Sequence, residues 1–95
     1  MARKTVPFSP EGIGKLPNDK PVVYKIETEG GKNNYTGIAK RGRVHERLEE
    51  HLPDGKDPVP GAKVVVEQAP SFAEAREKEG RIISRSQPKY NEQGK

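Results

Sequence analysis

The chain is predicted to fold as one α+β domain, an α/β sandwich in which a three-stranded, mainly antiparallel sheet is flanked by helices. Three observations carry this. Two short alternating stretches flank a Gly- and Asn-rich turn at residues 29–34, and a β-branched run stands at residues 63–68. Two segments with helical spacing occupy residues 43–52 and residues 71 to about 86. The expected order of elements is β-β-α-β-α, and the simplest burial places the helices against the sheet.

Composition narrows the possibilities. With 95 residues the chain has room for a single domain, residues 1–95, near the lower size limit for an unstapled core. Hydrophobic residues make up 29% and charged residues 34%, so that core is drawn from a few Val, Ile, Leu and aromatic positions. Cysteine is absent, which excludes disulfides, thiolate zinc sites and cysteine nucleophiles and fits a reducing compartment. No apolar run approaches the length of a signal-peptide core or a membrane span, so a cytoplasmic protein without membrane contact is expected. The net charge is +4, with Lys40, Arg41 and Arg43 crowded ahead of a helical segment that also holds Arg47. A polyanionic partner and an ordinary solvated basic surface both account for such a cluster.

Residues 1–20 carry Pro7, Pro10, Pro17, Gly12 and Gly14, too many breakers for a long regular element, and are expected to form an arm. Within it Ser9, Pro10 and Glu11 suit one helical turn, Ser as N-cap and Pro at the first helical position, with Phe8, Ile13 and Leu16 packing down on the sheet. The core of the pattern spans residues 21–91. Its first strand alternates so that Val22, Tyr24 and Ile26 share one face. The second strand, from residue 35, places Tyr35, Gly37 and Ala39 together.

In the first long helix Val44, Leu48 and Leu52 recur every four residues, and Pro53 ends it. Residues 54–62 have neither period and read as a loop, and the strand at 63–68 follows. Ser71 and Glu74 have capping-box spacing at the start of the second long helix. Pro88 closes that helix near Ser86 and leaves residues 92–95 as a tail.

Polar residues stand where apolar ones belong. On the second long helix Phe72, Ala75, Glu79, Ile82, Ile83 and Ser86 trace one stripe, with a carboxylate at its centre. Burying Glu79 unpaired is costly, so it needs a cation, a metal or an open cleft; a salt bridge to Arg47 or Arg76 would also satisfy it. Arg47 lies beside the apolar row of the first long helix, where it either snorkels to solvent or presents a fork of donors to phosphate. Tyr24 and Tyr35 are either a cross-strand pair or two phenols at a reaction centre. His51 is read as a packing or capping residue, and Asn91 as a tail residue that either bonds a backbone turn or serves a site.

These residues resemble the GIY-YIG endonuclease domain. Val22-Val23-Tyr24 stands where that family has Gly-Ile-Tyr, and Tyr35-Thr36-Gly37 where it has Tyr-Ile-Gly. Downstream, Arg47-Leu48-Glu49-Glu50-His51 is similar to the segment bearing the family's catalytic Arg, with Leu48 and His51 selecting Arg47 over Arg43. Glu79 matches the metal-binding Glu, and Pro88-Lys89-Tyr90-Asn91 the closing segment with its Asn. Two departures stand out. Val22 and Val23 replace Gly and Ile, and Ile38 stands where some members carry Lys, leaving Lys40 as the substitute on the same side of the strand.

The resemblance implies a phosphodiesterase acting on nucleic acid, DNA in the first place, leaving 5′-phosphate and 3′-hydroxyl ends. It implies Tyr24, Tyr35, Arg47 and Glu79 as catalytic residues, with Gly37 and His51 in support. It further implies Mg²⁺ or Mn²⁺ on Glu79, Arg47 on the phosphate, and a tyrosine on the attacking water. Lys40, Arg41, Arg43 and Asn91 would contact the nucleic acid, and a protein partner would supply target choice. A non-catalytic nucleic-acid-binding module and a small interaction domain are the alternatives.

Overall fold

The computed structural model describes residues 3–86. Its sheet has four antiparallel strands, one more than the pattern predicts. The additional strand, β1 (Arg3–Pro7), lies in the arm that the density of breakers marks as irregular. Only Val6 of its five residues is buried, so it has no apolar period to betray it. The remaining strands are β2 (Val22–Glu27), β3 (Asn33–Ala39) and β4 (Lys63–Gln68), ordered β1-β4-β2-β3 across the sheet. Pro7 is tolerated because β1 is an edge strand and Pro7 is its last residue.

The hairpin forms in the register its two alternations require. Val22 faces Ala39, Tyr24 faces Gly37 and Ile26 faces Tyr35 across the β2–β3 ladder. Beyond Ile26 the register shifts so that Glu27 pairs with Asn33, and the Asn34 side chain donates to the Pro60 carbonyl at 2.9 Å. This irregularity starts β3 two residues earlier than expected and ties the hairpin to the loop before β4.

Three helices cover the sheet, where two were expected. The first, α1 (Pro10–Gly14), is the short helical turn of the arm, with the Gly12 amide donating to Ser9 Oγ at 3.2 Å. Ile13 and Leu16 are buried and Phe8 packs against them, as the arm's apolar residues suggest. Next, α2 (Val44–Glu49) has no side-chain cap from its own N-cap residue, Arg43. Asn18 of the arm supplies one instead, accepting the Val44 amide through Oδ1 at 2.8 Å. The last helix, α3 (Phe72–Ser86), begins with the Glu74 amide donating to Ser71 Oγ at 3.2 Å. No helix among the described residues is long and apolar enough to cross a membrane.

Alternation along the strands splits the apolar residues into two layers. Val22, Tyr24, Ile26, Ala39, Val64 and Val66 join residues of α1 and α2 in the larger cluster. Val23, Ala69 and Ala75 form the smaller one, with Ile38 and Ile82 against them. The helices α2 and α3 therefore lie on opposite faces of the sheet, and most of the burial is on the α2 side. Leu48→Ala should cost about 2–5 kcal/mol in urea unfolding, because Leu48 is wholly enclosed. Ile82→Ala, which trims a half-buried side chain on the thin layer, should cost less than half as much in the same measurement.

Candidate functional site

Tyr24 is the centre of the site and has no exposed surface. Its position on the middle of β2 sends the ring toward α2, across the flat strip left by Gly37. A Cβ on Gly37 would stand 2.6 Å from both Cζ and Oη of Tyr24 and 3.0 Å from Cε2 of Tyr35. That close approach is the reason glycine occupies the position. The two tyrosine rings lie 6.2 Å apart between centroids, tilted by 31°.

His51 completes the buried group. At the end of α2 the chain tightens to three-residue bonds, His51 amide to Leu48 carbonyl at 3.0 Å and Leu52 amide to Glu49 carbonyl at 3.2 Å. At three residues per turn His51 comes under Leu48. It is accordingly buried, while Leu52 is only partly so. The imidazole lies 2.9 Å from the Asp57 carbonyl through Nδ1 and 3.0 Å from the Tyr24 hydroxyl through Nε2. A carbonyl can only accept, so Nδ1 carries the proton; in the neutral ring Nε2 then accepts from Tyr24. Tyr35 also packs on the imidazole, 4.7 Å between centroids, so that the three rings form a triangle.

Electrostatics tie Arg47 and Glu79 to the same phenols. Burial pushes the Tyr24 phenol far above its ordinary range, Tyr35 adds to this, and Arg47 opposes it. The Tyr35 phenol is also raised by burial, against the pull of Arg47, with Asp57, Glu79 and Glu50 acting in the same direction as burial. Burial raises the half-buried Glu79 carboxyl as well, opposed by Arg76 and then by Arg47. The field of Arg47 thus reaches both tyrosines and Glu79, although α2 and α3 lie on opposite faces. The two charges act on one another around β3, the edge strand.

No direct ion pair satisfies Glu79 among the described residues. The nearest carboxylate to Arg47 is that of Glu50, at 3.5 Å, so the salt bridge from Glu79 to Arg47 or Arg76 that the stripe allowed does not form.

Arg47 also lines an open cleft of about 330 Å³ at the end of β3, together with Ile38, Ala39, Lys40, Arg43 and Phe72. Arg41 lies beside it in an exposed turn whose Gly42 adopts φ 84°. Of the four residues singled out for catalysis, Arg47 alone lines this cleft; Tyr35 and Glu79 are half-buried, and Tyr24 lies beneath the surface. Lys40 stands over the Phe72 ring, 5.4 Å from its centroid, and so turns toward α3 instead of toward the tyrosines. Asn91 lies outside the described residues.

His51, expected both as a packing or capping residue and in support of the site, is buried and bonded to Tyr24. Phe72 was not singled out for the site: it reads as the head of a core stripe, yet it belongs to neither apolar cluster. No family model matches the chain, and no curated protein matches it.

The raised phenols give a pH dependence with a definite sign. A tyrosine that ionises less readily when folded leaves stability intact below the unfolded value near 10, and stability falls as pH rises above it. Unfolding free energy from urea titrations should therefore decline above pH 10. Tyr24→Phe should flatten that decline, while lowering stability at pH 7 by about 1–3 kcal/mol because the buried His51 nitrogen loses its donor.

Proposed function

We propose that the chain is a metal-dependent endonuclease of the GIY-YIG type, hydrolysing phosphodiester bonds in nucleic acid, with DNA as substrate and 5′-phosphate and 3′-hydroxyl ends as products. The observation that carries the reading is the packing of Tyr24 on β2 against Tyr35 on the edge strand β3, ring centroids 6.2 Å apart, with the Arg47 guanidinium and the half-buried Glu79 carboxylate both acting on the two phenols. Such a set suits in-line displacement at phosphorus, where charge must be neutralised and a water oriented.

The donor set is compatible with a hard cation. Glu79 offers a half-buried carboxylate with no hydrogen-bond or ion-pair partner among the described residues. No group of three or more His, Cys, Asp or Glu side chains gathers among those residues, so a fully protein-caged ion does not fit. Mg²⁺ or Mn²⁺ held by one carboxylate, with water and substrate phosphate in its other positions, does fit. When bound, it would supply charge at the scissile phosphate and at the leaving oxygen.

The chain's own residues divide the remaining work. Arg47, partly exposed in the cleft, binds non-bridging phosphate oxygens. Tyr35 holds the attacking water by hydrogen bonding; its raised phenol stays protonated at neutral pH. Tyr24 has no surface for water, and its role in this reading is to position Tyr35 through the shared His51 contact. Lys40, Arg41 and Arg43 take neighbouring phosphates. A protein partner supplies target choice, and the reducing cytoplasm is a suitable setting for a chain without cysteine. A non-catalytic nucleic-acid-binding module is the second reading, favoured by the burial of Tyr24, which leaves one phenol for chemistry.

Cleavage of nicked, branched, mismatched and single-stranded DNA by the purified chain should require Mg²⁺ or Mn²⁺ and generate 3′-hydroxyl ends. Glu79→Gln and Arg47→Ala should each lower the rate by at least about 100-fold. The raised Glu79 carboxyl supports folding when protonated, and that support is lost as pH rises through its folded value. Glu79→Gln should therefore melt no lower than wild type at pH 7, so that its lost activity is not unfolding. Metal-independent binding without cleavage would favour the second reading, and unimpaired cleavage by Glu79→Gln would exclude this assignment of the site.

A further inference from the structure

We infer that the cleft at the end of β3 holds an unpaired nucleotide, with Phe72 as the surface on which its base stacks. This rests on the nucleic-acid reading above and assigns a specific form of substrate to it, a single-stranded segment. The cleft has an apolar floor made by Ile38, Ala39 and Phe72 and cations on its walls from Lys40, Arg43 and Arg47. A phosphodiester unit with an exposed base has the matching division, one anionic end and one flat apolar end. Paired bases in a duplex keep their faces against one another and offer a ring nothing to stack on.

The placement of Phe72 calls for such a partner. It is the first residue of α3 and partly exposed, and neither apolar cluster includes it. Over it stands Lys40, 5.4 Å from the ring centroid, in a cation–π contact whose place an incoming base takes while the ammonium turns to the phosphate. The two guanidiniums are anchored from behind by carboxylates three residues on. Arg43 Nε lies 2.6 Å from Glu46, and Arg47 Nη1 lies 3.5 Å from Glu50, while 53% and 41% of the respective side chains remain exposed. Those pairings hold the forks in place without closing them to phosphate. An aromatic ring set among cations is the arrangement by which single strands are held without sequence preference.

The chain contains no tryptophan, so Phe72→Trp installs a lone reporter in the cleft. Binding is measured in EDTA, where no cleavage can interfere, with a single-stranded oligonucleotide, its blunt duplex, and an abasic oligomer of equal length and charge. The wild type should bind the single strand about 10-fold or more tightly than the abasic oligomer. Phe72→Leu, which keeps an apolar side chain without a π face, should bind the two alike and leave duplex affinity within about twofold of wild type. Phe72→Trp should restore the preference and be quenched by the single strand but not by the abasic oligomer. Equal binding of single strand and abasic oligomer by the wild type, or undiminished preference in Phe72→Leu, would overturn the stacking site and leave the nuclease reading standing. No binding of any probe at low salt would overturn both.

Discussion

The hydrogen bond between the Tyr24 hydroxyl and His51 Nε2 joins the hairpin to a segment 27 residues on. Tyr24 lies on β2, His51 in the turn that follows α2, and the Asp57 carbonyl that orients the imidazole belongs to the loop before β4. The Tyr24 hydroxyl and both His51 ring nitrogens each have a partner: phenol to imidazole, imidazole to backbone. A buried network of this kind is stable only when complete, since each missing partner leaves a desolvated group behind. Its geometry in turn demands Gly37, because any side chain there would occupy the volume of the Tyr24 ring. The tyrosine pair, the glycine between them and the tightened end of α2 are thus consequences of one packing problem.

That arrangement separates two roles that the motif alone leaves merged. The inner tyrosine is structural in its contacts and lies out of reach of solvent; the outer one is half-buried and lies within the fields of Arg47 and Glu79. The edge strand makes this possible. Since β3 has no neighbour beyond it, groups from helices on opposite faces can act on one another around it. The cationic cleft opens at the same edge. An open sheet edge is a hazard for most small domains, and here the charged residues that follow β3 both discourage strand pairing and line the cleft.

Much of this was legible in the sequence. Period-two alternation placed Val22, Tyr24 and Ile26 on one face of the first strand and Tyr35, Gly37 and Ala39 on one face of the second, and Ser9 with Pro10 marked the start of α1. The interruption of an apolar stripe by Glu79 marked the group whose burial now raises its carboxyl. What was not legible depends on contacts distant in sequence. The strand β1 exists because β4 offers it a ladder, and its own residues, with Val6 alone buried, carry no pattern. Asn18 is a helix cap only once the arm has folded against α2. His51 was expected beside the apolar row and in support of the site, but its bond to Tyr24 is a contact across 27 residues that no local pattern shows, and Phe72 leaves the core because α3 starts at the rim of the sheet.

The proposed function requires Tyr35, Arg47 and Glu79 to surround one cation-dependent site at the edge of β3. Titrating the isotopically labelled chain with Mn²⁺ and following amide signals by NMR tests this directly, because the ion broadens only what lies near it. Saturable broadening should centre on Glu79 in α3, extend to Tyr35 and Gly37 in β3 and to Arg47 in α2, and disappear in Glu79→Gln. Broadening confined to other carboxylates, or unchanged by that substitution, would contradict it.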